Sequence, residues 1–465
     1  MLKNFPEKAE TLENIMGRLN EYGRNDIKNS RGRLFTYFYD PGINLLDQTS
    51  EIFLNFYNRN GMDYHAFPST LKIENDVIAM MGSLMHGNDN LAGTFTTGGT
   101  ESIMLAVKSA RDKYFENHNG IPEIVMPVTA HPAFGKAAEY LGLKTVILPV
   151  NDKYIMDTEE LKNSINDNTA MIVASAPSFP YGVIDPVKEA SEIAMDKNKW
   201  LHVDACVGGM ILPFLKDLEI GMEKFDFSLP GVSSISIDLH KYGFTPKGSS
   251  VILYKNRELR KHQIYVNARW PGYPMSNSGL QATKSAGPLA GTWAILNFLG
   301  RNGYDKLAEK TLKAYRIISK GISSSGFKIV GKPDATIFAF TGDNIFDTGV
   351  KMIENGWYPQ IQPANVKMGL PPSVHLNICP VHLEVADEFL DTLKAIKNNN
   401  HNTDENKLEM LKLKNKYETV DKLVKMIKED NNKTILFHIL RNFDYNTGEN
   451  IFRIITDEDF TASKN

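Results

Sequence analysis

The sequence predicts an α/β protein in which a large domain built on a mostly parallel sheet precedes a small C-terminal α+β domain. Three observations lead there. Short apolar strands alternate with helical patterns between about residues 94 and 254, glycines at Gly300 and Gly303 interrupt that alternation, and 465 residues exceed what one compact core accommodates. The divisions that follow are an N-terminal helical and extended segment (1–70), the large domain (71–303), the small domain (304–398), and a linker with an accessory tail (399–465).

In chain order, Leu12, Ile15, Met16 and Leu19 recur at helical spacing and predict a short amphipathic helix. The aromatic stretch LFTYFYDPG ends in a Pro41-Gly42 turn. Helices are then expected over 45–57 and 71–85. Strands are expected at 94–96, 124–128, 145–150, 171–176, 201–203, 234–237 and 250–254, with helical patterns such as Ile103, Val107, Ala110 and Tyr114 between them. Beyond the break, strands at 328–330, 336–341 and 374–378 and a final helix over 383–396 make up the smaller unit. The Asn-rich run 398–400 reads as a linker. The tail after it shows one apolar helical face (Val420, Leu423, Val424, Ile427) and a hairpin pattern, TILFHIL and IFRIIT, around an Asn446-Thr447-Gly448 turn. No internal repeat is present.

Composition excludes several classes. A formal net charge of −3 offers no basic surface for nucleic acid or an anionic membrane. Cys206 and Cys379 lie far apart in apolar surroundings, so neither a disulfide framework nor a metal site is indicated, which fits a reducing, cytoplasmic setting. The start of the chain mixes charges of both signs, unlike a signal peptide, and the longest apolar run, 207–215, is too short and too broken to span a bilayer. A soluble protein without an integral membrane segment is expected.

The chemistry concentrates in residues 234–250, SISIDLHKYGFTPKGSS, a strand followed by His240-Lys241 and a Gly- and Ser-rich turn into a second strand. Burial beside a strand end disfavours an ammonium ion and is expected to lower the pKa of Lys241, freeing an amine to condense with a carbonyl. Lys241 is accordingly expected to hold pyridoxal phosphate as a Schiff base. The loop TTGGTES places Gly98, Gly99 and Thr100 at a helix start, where free N–H groups attract phosphate, although such a loop alone is equally a tight turn. Asp204 ends the apolar strand WLHVDAC. A carboxylate there needs a cationic partner, and a pyridinium N–H is one candidate while a helix cap or internal salt bridge is the other. His131 follows a strand and precedes a helix, so it caps, packs, or stacks on a flat ring. His240 is a candidate donor to a phosphate oxygen, and Lys247 and His65 are candidates for an anionic substrate group.

The Gly-Gly-Thr loop, the strand-end histidine, the HVDAC strand and the His-Lys-Tyr-Gly stretch occur in the order seen in the group II pyridoxal-phosphate decarboxylases. Over about residues 35–396 the sequence most resembles their sphingosine-1-phosphate lyase branch. The resemblance implies the fold-type-I scaffold of aspartate aminotransferase. It also implies Lys241 as the cofactor lysine, Asp204 on the pyridine nitrogen, His131 stacked on the ring, Gly98, Gly99, Thr100 and His240 around the phosphate, and Ser175 lining the site. Tyr39 and Lys247 match positions near a substrate phosphate, and a homodimer with shared active sites is implied. Two stretches depart from the branch. Asp63 falls where a histidine is usual, with His65 directly before Ala66-Phe67-Pro68, and Ala282-Thr283-Lys284-Ser285-Ala286 replaces a Gly-Ser-Arg-Pro-Gly stretch, making Lys284 a further candidate for substrate.

Three functions follow. The first is a lyase cutting a phosphorylated sphingoid base or related amino alcohol to an aldehyde and phosphoethanolamine. The second is an L-amino-acid decarboxylase on the same scaffold. The third is a catalytically silent binding protein, against which the intact Lys241 and Asp204 argue.

Overall fold

The computed structural model describes residues 5–27, 32–61, 64–215 and 224–398, together with Glu449, Arg453 and Thr456. Three helices open the chain, α1 (Leu12–Tyr22), α2 (Leu45–Phe56) and α3 (Pro68–Leu84). The third begins earlier than its apolar pattern because Pro68 occupies its first turn, where a missing N–H costs nothing.

The central sheet contains β1 (Ala92–Thr96), β2 (Glu123–Pro127), β3 (Lys144–Leu148), β4 (Thr169–Ser175), β5 (Trp200–Asp204), β6 (Val232–Asp238) and β7 (Ser250–Tyr254), in the spatial order β1-β7-β6-β5-β4-β2-β3. All seven coincide with the apolar runs of the sequence. The pairings β2 with β3 and β4, β4 with β5, and β5 with β6 are parallel, whereas β7 runs antiparallel to both β1 and β6. The reversal follows from the link between β6 and β7, residues 239–249, which is too short to return the chain by a helical crossover. Strands β4 and β5 are buried along their whole length, as expected where helices cover both faces.

Those covering helices are α4 (Gly99–Tyr114), α5 (Ala133–Leu141), α6 (Thr158–Ser164) and α7 (Val187–Asp196). Helix α4 buries Ile103, Val107, Ala110 and Tyr114, the face read from its periodicity. Helix α5 closes on Gly142 in the left-handed conformation (φ 73°), a cap that glycine adopts without strain. Short helices α8 (Leu212–Leu215) and α9 (Arg257–Arg260) and the hairpin β8 (Tyr265–Asn267) and β9 (Met275–Asn277) lead to α10 (Gly287–Ser324), which is interrupted at Gly300 (φ 56°, ψ −174°).

The second sheet, order β10-β11-β13-β12, comprises β10 (Lys328–Ile329), β11 (Ile337–Thr341), β12 (Gln360–Gln362) and β13 (Ser373–Asn377), with α11 (Ile345–Glu354) and α12 (Ala386–Asn398) against it. Strand β12 escaped the sequence reading because Pro359 and Pro363 flank it, and it tolerates them as an edge strand. The final helix starts three residues later than its apolar pattern because residues 380–383 form a separate tight turn held by His382 Nδ1, which accepts the Cys379 N–H at 2.8 Å.

Two apolar cores result. One lies around the central sheet and reaches along α10 to Leu312; the other gathers Ala314, Ile318, Phe338, Trp357 and Phe389. The N-terminal strap spans both. Phe35 packs in the second core, stacked on His382 at 4.1 Å, and Tyr39 packs in the first against Tyr242 at 4.9 Å, which carries the strap across the end of the turn holding Lys241. No described helix is long and apolar enough to cross a membrane. The tail pattern lies outside the described residues except at Glu449, Arg453 and Thr456. These three are helical and exposed, and the rest of the hairpin pattern lies outside the described residues.

Candidate active site

Register places the candidate residues together at the carboxyl ends of the strands. Asp204 on β5 stands opposite Ser175 on β4 and Ser236 on β6, and Asp238, the last residue of β6, stands opposite Ser250 on β7. Ser250 in turn pairs with Thr96, from which the glycine loop begins. These ends enclose a cavity of about 390 Å³ lined by Gly98, Gly99, Thr100, His131, Ser175, Asp204, Cys206, Asp238, His240 and Lys241, so every cofactor contact expected from the sequence faces one space.

Lys241 Nζ lies 3.0 Å from Asp238 Oδ2, and the two side chains are 19 % and 5 % exposed. The expected depression of the Lys241 pKa is not found. Burial does act to lower it, but the Asp238 carboxylate, with Asp204 behind it, outweighs burial and raises it. Asp238 is shifted the opposite way: burial would raise its pKa, and the Lys241 ammonium holds it below the ordinary carboxylate range. Lys241 is thus held as an ammonium ion in a tight pair with Asp238. Asp238 was missed in the sequence, although an acid ending a buried strand three residues before the lysine is the same signal that marked Asp204.

The glycine loop is shaped by close approach. Gly98 adopts φ 155°, and a Cβ on Gly99 would come within 2.8 Å of both Asp238 oxygens and 3.0 Å of Cys206 Sγ. Glu101, in the first turn of α4, accepts the Thr97 N–H and hydroxyl at 2.7 Å each, while its other oxygen accepts the Leu280 N–H at 2.8 Å. Ser102 bridges Thr96 and Ser250 through its hydroxyl at 2.7 and 2.9 Å. The bracing role of Glu101 has no signal in the sequence, because its partner Leu280 is far along the chain.

Asp204 receives the Cys206 N–H at 3.0 Å and the Ser236 hydroxyl at 3.3 Å, both on Oδ1, leaving Oδ2 for a donor in the cavity. His131 Nδ1 accepts the Ala133 N–H at 3.2 Å, capping the start of α5 while the ring lines the cavity, so it caps and faces the site at once. Burial lowers its pKa and keeps it neutral. His240 is also lowered by burial, and its Nδ1 accepts the Ser249 N–H at 3.3 Å, which leaves Nε2 to carry the proton. Ser175 is fixed by Asp185, which accepts the Ser175 N–H at 2.8 Å and returns its own N–H to the Ser175 carbonyl at 3.0 Å.

The residues proposed for substrate do not share one space. Tyr39 and Lys247 line a second cavity of about 530 Å³ that meets the first at His240 and is walled by Ile43, Leu45, Leu46 and Phe244. Lys247 Nζ donates to the Tyr37 carbonyl at 3.0 Å, and burial with the like charge of Lys241 lowers its pKa. Lys284 lies instead in a third cavity of about 210 Å³ with Glu74 and Gln281, donating to the Phe95 carbonyl at 3.0 Å. His65 lines none of these three cavities, and Asp63 lies outside the described residues.

Comparison with known proteins gives the following. The family model of the pyridoxal-dependent decarboxylase conserved domain matches residues 2–342. The sphingosine-1-phosphate lyase of Oryza sativa subsp. japonica is 38 % identical over 349 residues, which is 73 % of this chain and 64 % of that protein, so the aligned region spans just under two thirds of that relative's length. A probable L-tyrosine/L-aspartate decarboxylase of Methanothermobacter thermautotrophicus is 33 % identical over 345 residues, 73 % of this chain and 91 % of that protein. Among solved structures, the sphingosine-1-phosphate lyase of Burkholderia pseudomallei superposes with a TM-score of 0.81 at 32 % identity, covering 86 % of this chain and 93 % of that one.

Proposed function

Because the chain belongs to the pyridoxal-dependent decarboxylase family and has the fold-type-I scaffold, we propose that it is a carbon-carbon lyase of the sphingosine-1-phosphate lyase type. Its substrate is a phosphorylated sphingoid base or related amino alcohol, cleaved to an aldehyde and phosphoethanolamine. The observation that carries this reading beyond the family is the meeting of the two cavities at His240. One holds the lysine, and the other has a mixed lining in which Lys247 and Tyr39 stand with apolar Ile43, Leu45 and Phe244 and with three acids, Asp40, Asp47 and Glu384, leaving room for a substrate that extends beyond the first cavity.

The residues fit pyridoxal phosphate. A glycine turn in which a Cβ on Gly99 would be crowded lies at a helix start, and an amine held by a buried carboxylate lines the same cavity. When bound, the cofactor supplies an aldehyde that captures amines and a ring that accepts the electron pair of the broken bond. Lys241 provides the amine. Asp204, through Oδ2, holds the ring N–H. Gly98, Gly99 and Thr100 present backbone N–H groups to the phosphate, and His240 donates from Nε2. His131 supplies a flat neutral ring beside Asp204, and Ser175 closes the wall. Tyr39 remains a phenol because burial raises its pKa, so its hydroxyl keeps a proton to donate. Lys247 spends one of its three donors on Tyr37 and has the others for an anion.

The decarboxylase likeness supports a second reading, amino-acid decarboxylation, on the same residues. The two are separated by supplying the purified, cofactor-loaded protein with a phosphorylated sphingoid base and, separately, a panel of L-amino acids. Aldehyde release is expected, and carbon dioxide without aldehyde would replace the lyase by the decarboxylase.

The assembly is a homodimer with shared active sites. Its support is apolar surface exposed among the described residues: α1 buries no residue although it carries Leu12, Met16 and Leu19, and the β8–β9 hairpin exposes Trp270 and Tyr273. A monomer in sedimentation velocity at micromolar protein would remove it. Both cysteines are free and buried, which supports a cytoplasmic setting.

A further inference from the structure

Filling the cavity reverses the surroundings of Asp238. The carboxylate is 4 % exposed, its Oδ2 holds Lys241 Nζ at 3.0 Å, and its Oδ1 is buried without a hydrogen-bond partner among the described residues. The same carboxylate lies against the glycine loop, with both oxygens 2.8 Å from the point a Cβ on Gly99 would occupy. An anion bound to that loop would therefore sit beside a carboxylate, which is unusual for a phosphate cradle at a helix start.

The groups that face Asp238 leave it one compensating charge. From its own turn come Lys241 and His240, whose Nε2 is 3.8 Å from Oδ2 and which burial keeps neutral. Lys247, farther along the loop, spends a donor on the Tyr37 carbonyl. Asp204 and the Cys206 thiol approach from the end of β5, His131 from the loop after β2, and Tyr39 from the strap, all neutral or acidic. A bound phosphate brings up to about two more negative charges. An ionised Asp238 would then face that anion as a like charge across a buried contact, an arrangement that favours the protonated acid. Lys241 must also lose a proton before its nitrogen bonds to a carbonyl.

Resting on the cofactor reading above, we propose that one transfer meets both demands: on loading, the Lys241 ammonium passes a proton to Asp238, and the resulting carboxylic acid donates a hydrogen bond into the Gly98–Thr100 loop. One N–H bond breaks and one O–H bond forms. No proton is exchanged with solvent, and the products are the neutral amine and the neutral acid. Asp238 is an acceptor in the empty protein and a donor in the loaded one.

The test is infrared difference spectroscopy of the full chain with and without pyridoxal phosphate. Loading of the wild-type protein is expected to add the C=O stretch of one protonated carboxyl group per chain. That band should move on 13C-aspartate labelling, vanish in Asp238→Asn and survive in Asp204→Asn. The Asp204 variant makes the assignment even where Asp238→Asn does not fold. A loaded wild-type spectrum without an acid band, or a band that persists in Asp238→Asn, overturns the proposal. Loading is monitored independently by the visible absorption of protein-bound cofactor. If that absorption never develops, the cofactor reading fails; if it develops without the acid band, only the proton transfer fails.

Discussion

Asp185, folded back on the end of β4, and Asp238, at the end of β6, are both buried carboxylates of the same sheet, and they titrate in opposite directions. Depth does not separate them, since they are 0 % and 4 % exposed. Asp185 accepts two backbone N–H groups, from Met156 at 2.9 Å and Ser175 at 2.8 Å, and burial outweighs both, lifting its pKa to about 6. Asp238 has a cation at 3.0 Å and is held low. The two lysines of the same turn repeat the pattern. Lys241, in contact with a carboxylate, is raised, and Lys247, which donates to a carbonyl, is lowered by burial and then by the like charge of Lys241. In this site the partner, and not the depth, fixes the charge.

Removing the cation is the most severe way to break that comparison. Lys241→Ala is expected to abolish turnover, by on the order of 10³-fold or more, together with the visible absorption of bound cofactor. It should also make Asp238 resemble Asp185. With its pKa lowered, the wild-type Asp238 contributes stability that is present above the unfolded carboxylate range and lost as pH falls through the folded value. With a raised pKa in the variant, its contribution is instead present at low pH and lost as pH rises. Urea unfolding of both proteins across the acid range reads the sign, and identical pH slopes would refute the pairing.

Removing the carboxylate is the next largest change. Asp238→Ala leaves an uncompensated buried ammonium, which costs about 3–5 kcal/mol when the partner of a buried pair is lost. Lys241 should then behave as Lys247 does, its pKa falling because burial acts unopposed. Acylation of Lys241 in the cofactor-free protein, followed by mass spectrometry against pH, should become faster at neutral pH than in wild type. Unchanged reactivity would show that the carboxylate does not set the amine's charge.

These two residues also mark where the sequence was legible. Strand ends were readable because a period-free apolar run stops abruptly at a polar residue, and so Lys241, Asp204 and His131 could be placed at one end of the sheet. The sign of the Lys241 shift was not readable, because it depends on a contact between Nζ and Asp238 that only the turn geometry fixes. Likewise Lys284 was grouped with Lys247 by its type, whereas the fold sends it to the opposite side of the glycine loop, beside Glu74. Strand β12 and the β8–β9 hairpin were missed, each only three residues per strand, too short for periodicity to register.

Asp185 offers a smaller effect with its own sign. Asp185→Ala orphans the Met156 and Ser175 N–H groups, which costs about 1–3 kcal/mol for a buried unsatisfied donor. The pKa of about 6 lies above the unfolded value, so the contribution of the carboxyl is fully present below the unfolded pKa and lost as pH rises through about 6. The stability difference between wild type and variant should therefore shrink from about pH 4 to about pH 7. A gap that widens over that range would mean that a cation reaches Asp185, contrary to the contrast with Asp238.

The smallest expected effect falls on Lys247, and it tests whether the second cavity holds the anionic end of the substrate. Lys247→Met keeps the apolar stem and removes the charge. Among the described residues its side chain is hydrogen-bonded to the Tyr37 carbonyl, a single bond whose loss the fold should tolerate. If the charge meets a phosphate in the ground state and the transition state alike, KM for the phosphorylated substrate should rise about tenfold with kcat nearly unchanged. Binding of the cofactor itself should be unaffected, because its phosphate is assigned to the glycine loop on the far side of His240. A fall in kcat with KM unchanged would move Lys247 from holding substrate to the reacting atoms, and loss of cofactor affinity would assign it to the other cavity, erasing the division between the two lysines.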